Sequence, residues 1–190
     1  MKIVKLDDVE THPWRNGGGV TRDLLAWPAA ADWQLRISVA EVACDGPFSA
    51  YPGVERWFAV VQGAGVVLHF GDQDRRLAHE TPPLRFDGAV APGCTLIDGA
   101  TRDLNLLVRK DAGHGEMRVV APGAEWHSPA PLRAVFSVHP AELRVDGLPV
   151  AALPAGSLAW RAAAAGERWE LIPDESRTRA WWLSFAPQRP

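Results

Sequence analysis

Short apolar runs, most of them alternating with polar residues, recur along the whole chain, and clusters of Gly, Pro, Asn and Asp separate them. A period of two residues is typical of strands with one buried face. The pattern predicts strands at residues 2–6, 33–41, 57–62, 66–70, 84–86, 104–109, 132–139 and 180–186. The 17 glycines and 16 prolines argue against long helices, although residues 162–165 have the composition of one helical turn. The predicted fold class is therefore all-β.

The strand at 33–41 shows the clearest alternation. Leucine, isoleucine and valine occupy one face, while Arg36 and Ser38 lie on the other. This polar face either meets solvent or lines an internal cavity, and the strand alone does not decide between the two. Because the chain runs on from here toward Arg56, two arginines can face one cavity.

The segment at 48–65 has the outline of the metal-binding segment of a small β-barrel, with its ligands replaced. Ser49, Tyr51 and Arg56 stand where such a barrel places histidines and a glutamate. A guanidinium is a permanent cation without a lone pair to donate, so it cannot hold a metal ion. The cavity is expected to bind an anion, and the ligand or Glu41 and Glu55 would offset the buried positive charge.

Two further blocks carry candidate binding residues. Within the strand at 104–109, Asn105 is unfavourable among aliphatic neighbours, and an inward orientation is expected because leucines occupy the other face. The block at 14–23 contains three consecutive glycines but lacks the spacing and the following helix of a phosphate-binding loop. It is either a flexible turn or a lid-like loop that brings Arg15 and Asn16 to a ligand.

Composition excludes several classes of function. The formal net charge is −3 and no run of Lys and Arg is present, which argues against nucleic-acid binding. No apolar stretch approaches the roughly 20 residues that span a bilayer, and the N-terminus lacks a secretion signal, so a cytoplasmic location is expected. The sequence contains no HxH, HExxH or GxSxG motif. No metal ligands, catalytic residues or cofactor are therefore assigned.

Four ordered blocks, at residues 14–23, 36–41, 46–56 and 102–108, resemble the HutD/Ves family of cupin-like proteins. The resemblance implies a cupin (RmlC-like jelly-roll) β-barrel of bicupin type. Residues 1–115 would form the main barrel with the ligand cavity, and residues 116–190 a degenerate second half packed on it. From the residues alone, one barrel with added flanking strands remains an equal alternative.

The resemblance also implies a metal-independent protein that binds a small carboxylic acid of the N-formylglutamate or urocanate class. Its role would be regulatory, in histidine utilisation or in a stress response. The two arginines would grip the carboxylate, and polar neighbours would orient the rest of the ligand. The expected ligand-binding residues are Arg15, Asn16, Arg36, Ser38, Ser49, Tyr51, Arg56 and Asn105.

Two other functions stay open at this point. One is a metal-independent isomerase or lyase of a small organic acid, with Tyr51 or Glu41 as the proton carrier. The other is a metallo-cupin with the unusual ligands Glu41, Glu55 and His69. A homodimer is plausible for a barrel of this type, and no nucleic-acid or membrane partner is expected.

Overall fold

A computed structural model of the protein describes residues 1–121, 123–164, 166–174 and 179–188. These residues form nineteen strands and two short 3-10 helices, Leu6–Asp8 and Ala30–Asp32. The strands are β1 (Lys2–Lys5), β2 (His12–Pro13), β3 (Gly19–Trp27), β4 (Leu35–Val42), β5 (Gly46–Pro47), β6 (Val54–Gln62), β7 (Val66–Phe70), β8 (Gln73–Leu77), β9 (Leu84–Asp87), β10 (Gly93–Leu96), β11 (Thr101–Arg109), β12 (Gly113–Val119), β13 (Trp126–His127), β14 (Leu132–Ser137), β15 (Ala141–Val145), β16 (Leu148–Leu153), β17 (Ser157–Ala162), β18 (Arg168–Pro173) and β19 (Ala180–Pro187). Within this described part, no helix is both long enough and apolar enough to cross a membrane.

The chain divides into two compact units. One is Glu10–Ala112, hereafter the 10–112 unit, and the other combines Met1–Val9 with Gly113–Pro190, hereafter the terminal unit. The 10–112 unit, all of whose residues are described, contains a six-stranded sheet in the order β2-β3-β4-β11-β6-β9 and a four-stranded sheet in the order β5-β10-β7-β8. Neighbouring strands in both sheets are antiparallel.

Apolar side chains from both sheets of the 10–112 unit meet in one core. Phe58 and Val60 of the six-stranded sheet pack with Val66, Leu68 and Cys94 of the four-stranded sheet. This is the arrangement that alternating strands dictate, since each sheet turns one apolar face toward the other.

The terminal unit repeats the two-sheet plan, with a described five-stranded sheet in the order β1-β17-β14-β19-β12 and a four-stranded sheet in the order β13-β18-β15-β16. Trp126, Trp169 and Trp182 pack together in its core. Trp126 stacks on Trp182 with ring centroids 4.9 Å apart, and Trp169 meets both edge-on. Large aromatic side chains therefore fill this interior.

Each of the eight predicted strands overlaps an observed strand, which confirms the all-β class. Eleven strands of the described residues have no predicted counterpart. The longest of them is β3, whose first half belongs to the glycine block that the sequence indicated as a turn or lid. The predicted helical turn at 162–165 is wrong in its described part. Ala162 ends β17, residues 163 and 164 are irregular, and Ala165 lies outside the described residues.

The turn between β6 and β7 supplies a test of this packing. Gly65 has φ +105°, and a Cβ atom there would overlap the carbonyl oxygen of Leu77. Gly71, between β7 and β8, has φ +60° with open space around the corresponding position. We expect Gly65→Ala to lower the free energy of unfolding by at least about 3 kcal/mol, and Gly71→Ala by only about 1–2 kcal/mol. Urea unfolding measures both, and equal losses would contradict the observed turn geometry.

Candidate functional site

A cavity of about 540 Å³ lies in the 10–112 unit, against the six-stranded sheet and two adjoining loops. Side chains of β3, β4, β6 and β11 form its wall, and the loops after β2 and β5 form its rim. The structure brings all eight sequence-predicted binding residues to this one cavity: Arg15, Asn16, Arg36, Ser38, Ser49, Tyr51, Arg56 and Asn105. Their role in binding a ligand stays a prediction.

The sheet register aligns the wall residues in rows. Leu107 on β11 pairs with Arg36 on β4 and with Arg56 on β6, so the two arginines flank it on the same face. Since neighbouring strands lie about 5 Å apart, the Cα atoms of the two arginines are about 10 Å apart. In the next row Ser38 pairs with Asn105. A single small ligand can therefore contact both arginines.

Arg56 is a buried cation held in a fixed orientation. The residue is 8% exposed, and its Nε and Nη2 donate hydrogen bonds of 3.0 and 2.7 Å to Oδ1 of Asn105. The rings of Phe48, Phe86 and Phe58 lie 4.6, 5.5 and 5.9 Å from its Cζ atom. Burial lowers the pKa of Arg56 to about 10, so the guanidinium still carries its charge at neutral pH.

Asp103 lies on the same face of β11, two residues before Asn105. The residue is fully buried, and neither carboxyl oxygen has a hydrogen-bond partner within the described chain. Its backbone oxygen accepts a hydrogen bond of 3.2 Å from Nδ2 of Asn105. Burial raises the pKa of Asp103 well above its ordinary value, and the charge of Arg56 opposes that shift. Asp103 is not among the binding residues that the sequence predicts.

Arg36 is oriented by two aromatic rings and paired with an aspartate. Its Nη2 donates a hydrogen bond of 3.2 Å to Oη of Tyr51, and its Cζ lies 5.1 Å from the Trp33 ring and 5.4 Å from the Tyr51 ring. Its Nε lies 3.7 Å from Oδ1 of Asp23 on β3. Asp23 was missed because it belongs to the glycine block, although its alternation with Thr21 was a usable signal.

The prediction that Glu41 and Glu55 offset the positive charge of the cavity is wrong. Glu41 accepts a 3.0 Å hydrogen bond from Nε of Arg102, and Glu55 accepts one of 2.6 Å from Nε of Arg85. Neither glutamate lines the cavity. Each follows or precedes a cavity-facing residue on its strand, so its side chain points to the opposite face.

The rim of the cavity is a turn at residues 15–18 together with the loop that holds Ser49. Oδ1 of Asn16 accepts a 3.0 Å hydrogen bond from the backbone N–H of Gly18. Nε1 of Trp14 donates a 2.8 Å hydrogen bond to Oγ1 of Thr21, which anchors the start of this turn to β3. Arg15, Asn16 and Ser49 are all exposed at the mouth.

The alternative metal set is also wrong. Nδ1 of His69 is bonded to Oδ1 of Asp74 at 2.7 Å and its Nε2 to Oγ1 of Thr95 at 3.0 Å, while Glu41 and Glu55 are held by their own arginines. Across the described ranges, no group of three or more His, Cys, Asp or Glu side chains is placed to hold a metal ion.

Two curated relatives match part of this chain. Protein Ves of Citrobacter koseri is 35% identical over 121 residues, which is 63% of this chain and 63% of that protein. An uncharacterized 21.2 kDa protein in the hutC 3′ region of Pseudomonas putida is 32% identical over 109 residues, 56% of this chain and 57% of that protein. The matches thus span less than two thirds of these relatives' length.

Solved structures share the fold over nearly the whole chain. HutD from Pseudomonas fluorescens SBW25, in a formate condition, is 27% identical with a TM-score of 0.85, and the match covers 99% of each chain. An oxalate decarboxylase of Bacillus subtilis has a TM-score of 0.66 at 9% identity, over 100% of this chain and 78% of its own, and this likeness shows the cupin-like fold alone. The HutD family model matches residues 6–171. This chain therefore belongs to the HutD family.

Proposed function

We propose that this chain is a metal-independent, cupin-like binding protein for a small carboxylic acid, with the cavity of the 10–112 unit as its binding site. The observation that carries the proposal is the buried Arg56, which Asn105 orients through two hydrogen bonds. A desolvated guanidinium and a carboxylate form short, charge-assisted and often bidentate hydrogen bonds. Arg56 is therefore the anchor for the acid.

The other cavity residues complete the recognition of the acid. Arg36 is a second cation within reach of the same ligand, and Ser38 and Tyr51 supply hydroxyl groups to its polar remainder. Arg15 and Asn16 at the rim contact the ligand's outer end. The volume of about 540 Å³ lies within the range of about 300–1,000 Å³ usual for small-molecule sites.

The protonation state of Asp103 affects how strongly Arg56 attracts an acid. An ionised carboxylate beside Arg56 would compete with the ligand for its charge. Burial of Asp103 favours the neutral acid, which leaves more of the guanidinium charge to an incoming carboxylate.

Family context supports a more specific role. One relative takes its name from the region next to hutC, and the family model is that of HutD. We extend the proposal to an acid of the N-formylglutamate or urocanate class, with a regulatory effect in the cytoplasm on histidine utilisation. The match to Ves supports a stress-response role as the other branch. The two-sheet plan of both units supports a bicupin whose terminal unit is the degenerate half.

The alternative is an isomerase or lyase of a small organic acid. Of its two suggested proton carriers, Glu41 is paired with Arg102 away from the cavity, which leaves Tyr51. The Tyr51 hydroxyl lies in the cavity and accepts a hydrogen bond from Arg36. Turnover of a bound acid that is lost in Tyr51→Phe would favour the enzyme over the binding protein.

Arg56→Ala tests the anchor. Removing one partner of a buried charge pair costs about 2–5 kcal/mol, so the affinity for a carboxylate is expected to fall by roughly 30-fold or more. Calorimetric titration of the full chain with N-formylglutamate and urocanate measures the change. Arg56→Lys, which keeps the charge and loses the fork, is expected to give a smaller loss.

The matched control for this substitution is Arg76→Ala, because Arg76 is exposed on β8 and lies outside the cavity lining. The affinity of Arg76→Ala for the two acids is expected to equal that of the unmodified chain. Unchanged affinity in a folded Arg56→Ala protein would rule out the proposed anchor.

Asp103→Asn tests the buried acid through stability. Because the folded-state pKa of Asp103 is raised, the wild type loses stability as the pH rises from the ordinary value of about 3.8 through that higher pKa. Asparagine does not ionise and escapes this loss. The free energy of unfolding of the variant, relative to wild type, is expected to increase between about pH 4 and pH 8.

Urea unfolding of both proteins across this pH range measures the difference. The control is Asp72→Asn, at an exposed position in the turn between β7 and β8, whose difference from wild type should not change over the same range. If the difference for Asp103→Asn does not change with pH, ionisation of Asp103 does not destabilise the folded protein, and the prediction is contradicted.

A further inference from the structure

Asp23 is an exception to the charge of the cavity. Among the lining side chains, all of which belong to the fully described 10–112 unit, it is the one carboxylate, and it shares the cavity with Arg15, Arg36 and Arg56. Apart from His12, the lining has three guanidiniums and one carboxylate, which leave a net charge of +2. An anionic ligand matches this total, yet an anion placed against Asp23 itself would be repelled.

Neighbouring residues leave hydrogen-bonding capacity on the carboxylate of Asp23. Its Oδ1 and the Nε of Arg36 are both buried, lie 3.7 Å apart, and have no hydrogen-bond partner within the residues that the structure describes. The separation allows electrostatic attraction but exceeds a hydrogen bond. Oδ1 is therefore turned into the wall beside Arg36, while the rest of the Asp23 side chain, which is 35% exposed, lines the cavity.

The backbone of β3 is also irregular at this point. The β3–β4 ladder is in register up to the pairing of Asp23 with Ser38, and the register then shifts between Asp23 and Leu25. A bulge re-aims the side chain beside it and is frequent next to functional sites. Here it accompanies the one acidic group directed at the cavity.

From the exposed part of this carboxylate, its place beside Arg36 in the cavity wall and the adjacent bulge, we propose that Asp23 is a specificity-determining residue that accepts a hydrogen bond from a neutral N–H of the ligand. Within the ligand class already proposed, the group that Asp23 binds is the amide N–H of N-formylglutamate or the azole N–H of urocanate. In the bound state the carboxylate of the ligand contacts Arg56, and its N–H donates to Asp23. Asp23 lies two strands from Asn105, because Asn105 pairs with Ser38 and Ser38 pairs with Asp23. This proposal rests on the proposed function of the cavity.

Two pairs of probes that differ only at the N–H test the proposal by calorimetric titration of the full chain. N-formylglutamate is compared with 2-formyloxyglutarate, in which an ester oxygen replaces the amide N–H. Urocanate is compared with 3-(1,3-oxazol-4-yl)acrylate, in which a ring oxygen replaces the azole N–H and the second ring nitrogen is kept. The N–H member of at least one pair is expected to bind at least about 10-fold more tightly, because its partner places an oxygen acceptor, which cannot donate, against the Asp23 carboxylate. The pair that discriminates identifies the source of the N–H.

Two variants assign this discrimination to Asp23. Asp23→Leu is similar in size but has no acceptor, and it is expected to reduce the ratio within the pair to about 3-fold or less. Asp23→Asn keeps a carbonyl oxygen without the charge and is expected to retain most of the ratio. Asp72→Leu, in the exposed β7–β8 turn, is the control and should leave the ratio unchanged.

The outcomes separate this inference from the proposed function. If none of the four acids binds the wild type, the carboxylate-binding function itself fails. If acids bind but both members of each pair bind equally, Asp23 does not select an N–H and the inference is overturned, whether or not the variants fold. An unchanged ratio in folded Asp23→Leu overturns it as well.

Discussion

The cavity depends on one interaction, the pair of hydrogen bonds that Asn105 accepts from Arg56. A guanidinium that is 8% exposed is costly unless its donors are satisfied and its charge is compensated. Asn105 satisfies two donors but brings no negative charge, and Asp103 brings a carboxyl group whose ionisation its burial opposes. The site is thus preorganised around incompletely compensated positive charge, which is the condition for binding an anion tightly.

A second buried arginine shows what a purely structural role looks like. Arg133 of the terminal unit is fully buried, but its guanidinium donates to the backbone oxygens of Ser128, Ala130, Ala164 and Glu167. Four of its five donors are thus used by backbone oxygens of the protein itself. Arg56 has a side-chain amide as its hydrogen-bond partner and faces a cavity, whereas the interior of the terminal unit is packed with tryptophan.

Much of this site follows from a single rule of strand geometry. Alternation put Arg36 and Ser38 on one face of a strand and Asn105 inside, and antiparallel register then aligned them in rows that no single strand could reveal. The same rule, applied fully, would have turned Glu41 and Glu55 away from the cavity. Alternation does not show how deeply a side chain is buried. Asp103 shares the face of Asn105, but its complete burial depends on how the second sheet packs. Asp23 follows from the same alternation, since it shares a face with Thr21, but the glycine block before it indicated a turn instead of a strand.

The most direct test of the account is a crystal structure of the full chain with a saturating small carboxylic acid, N-formylglutamate or urocanate. We expect the carboxylate to lie in the cavity of the 10–112 unit, within about 3 Å of the Arg56 guanidinium. Asn105 is expected still to accept hydrogen bonds from Nε and Nη2 of Arg56. An acid bound elsewhere, with Arg56 turned away from the cavity or paired with an ionised Asp103, would contradict it.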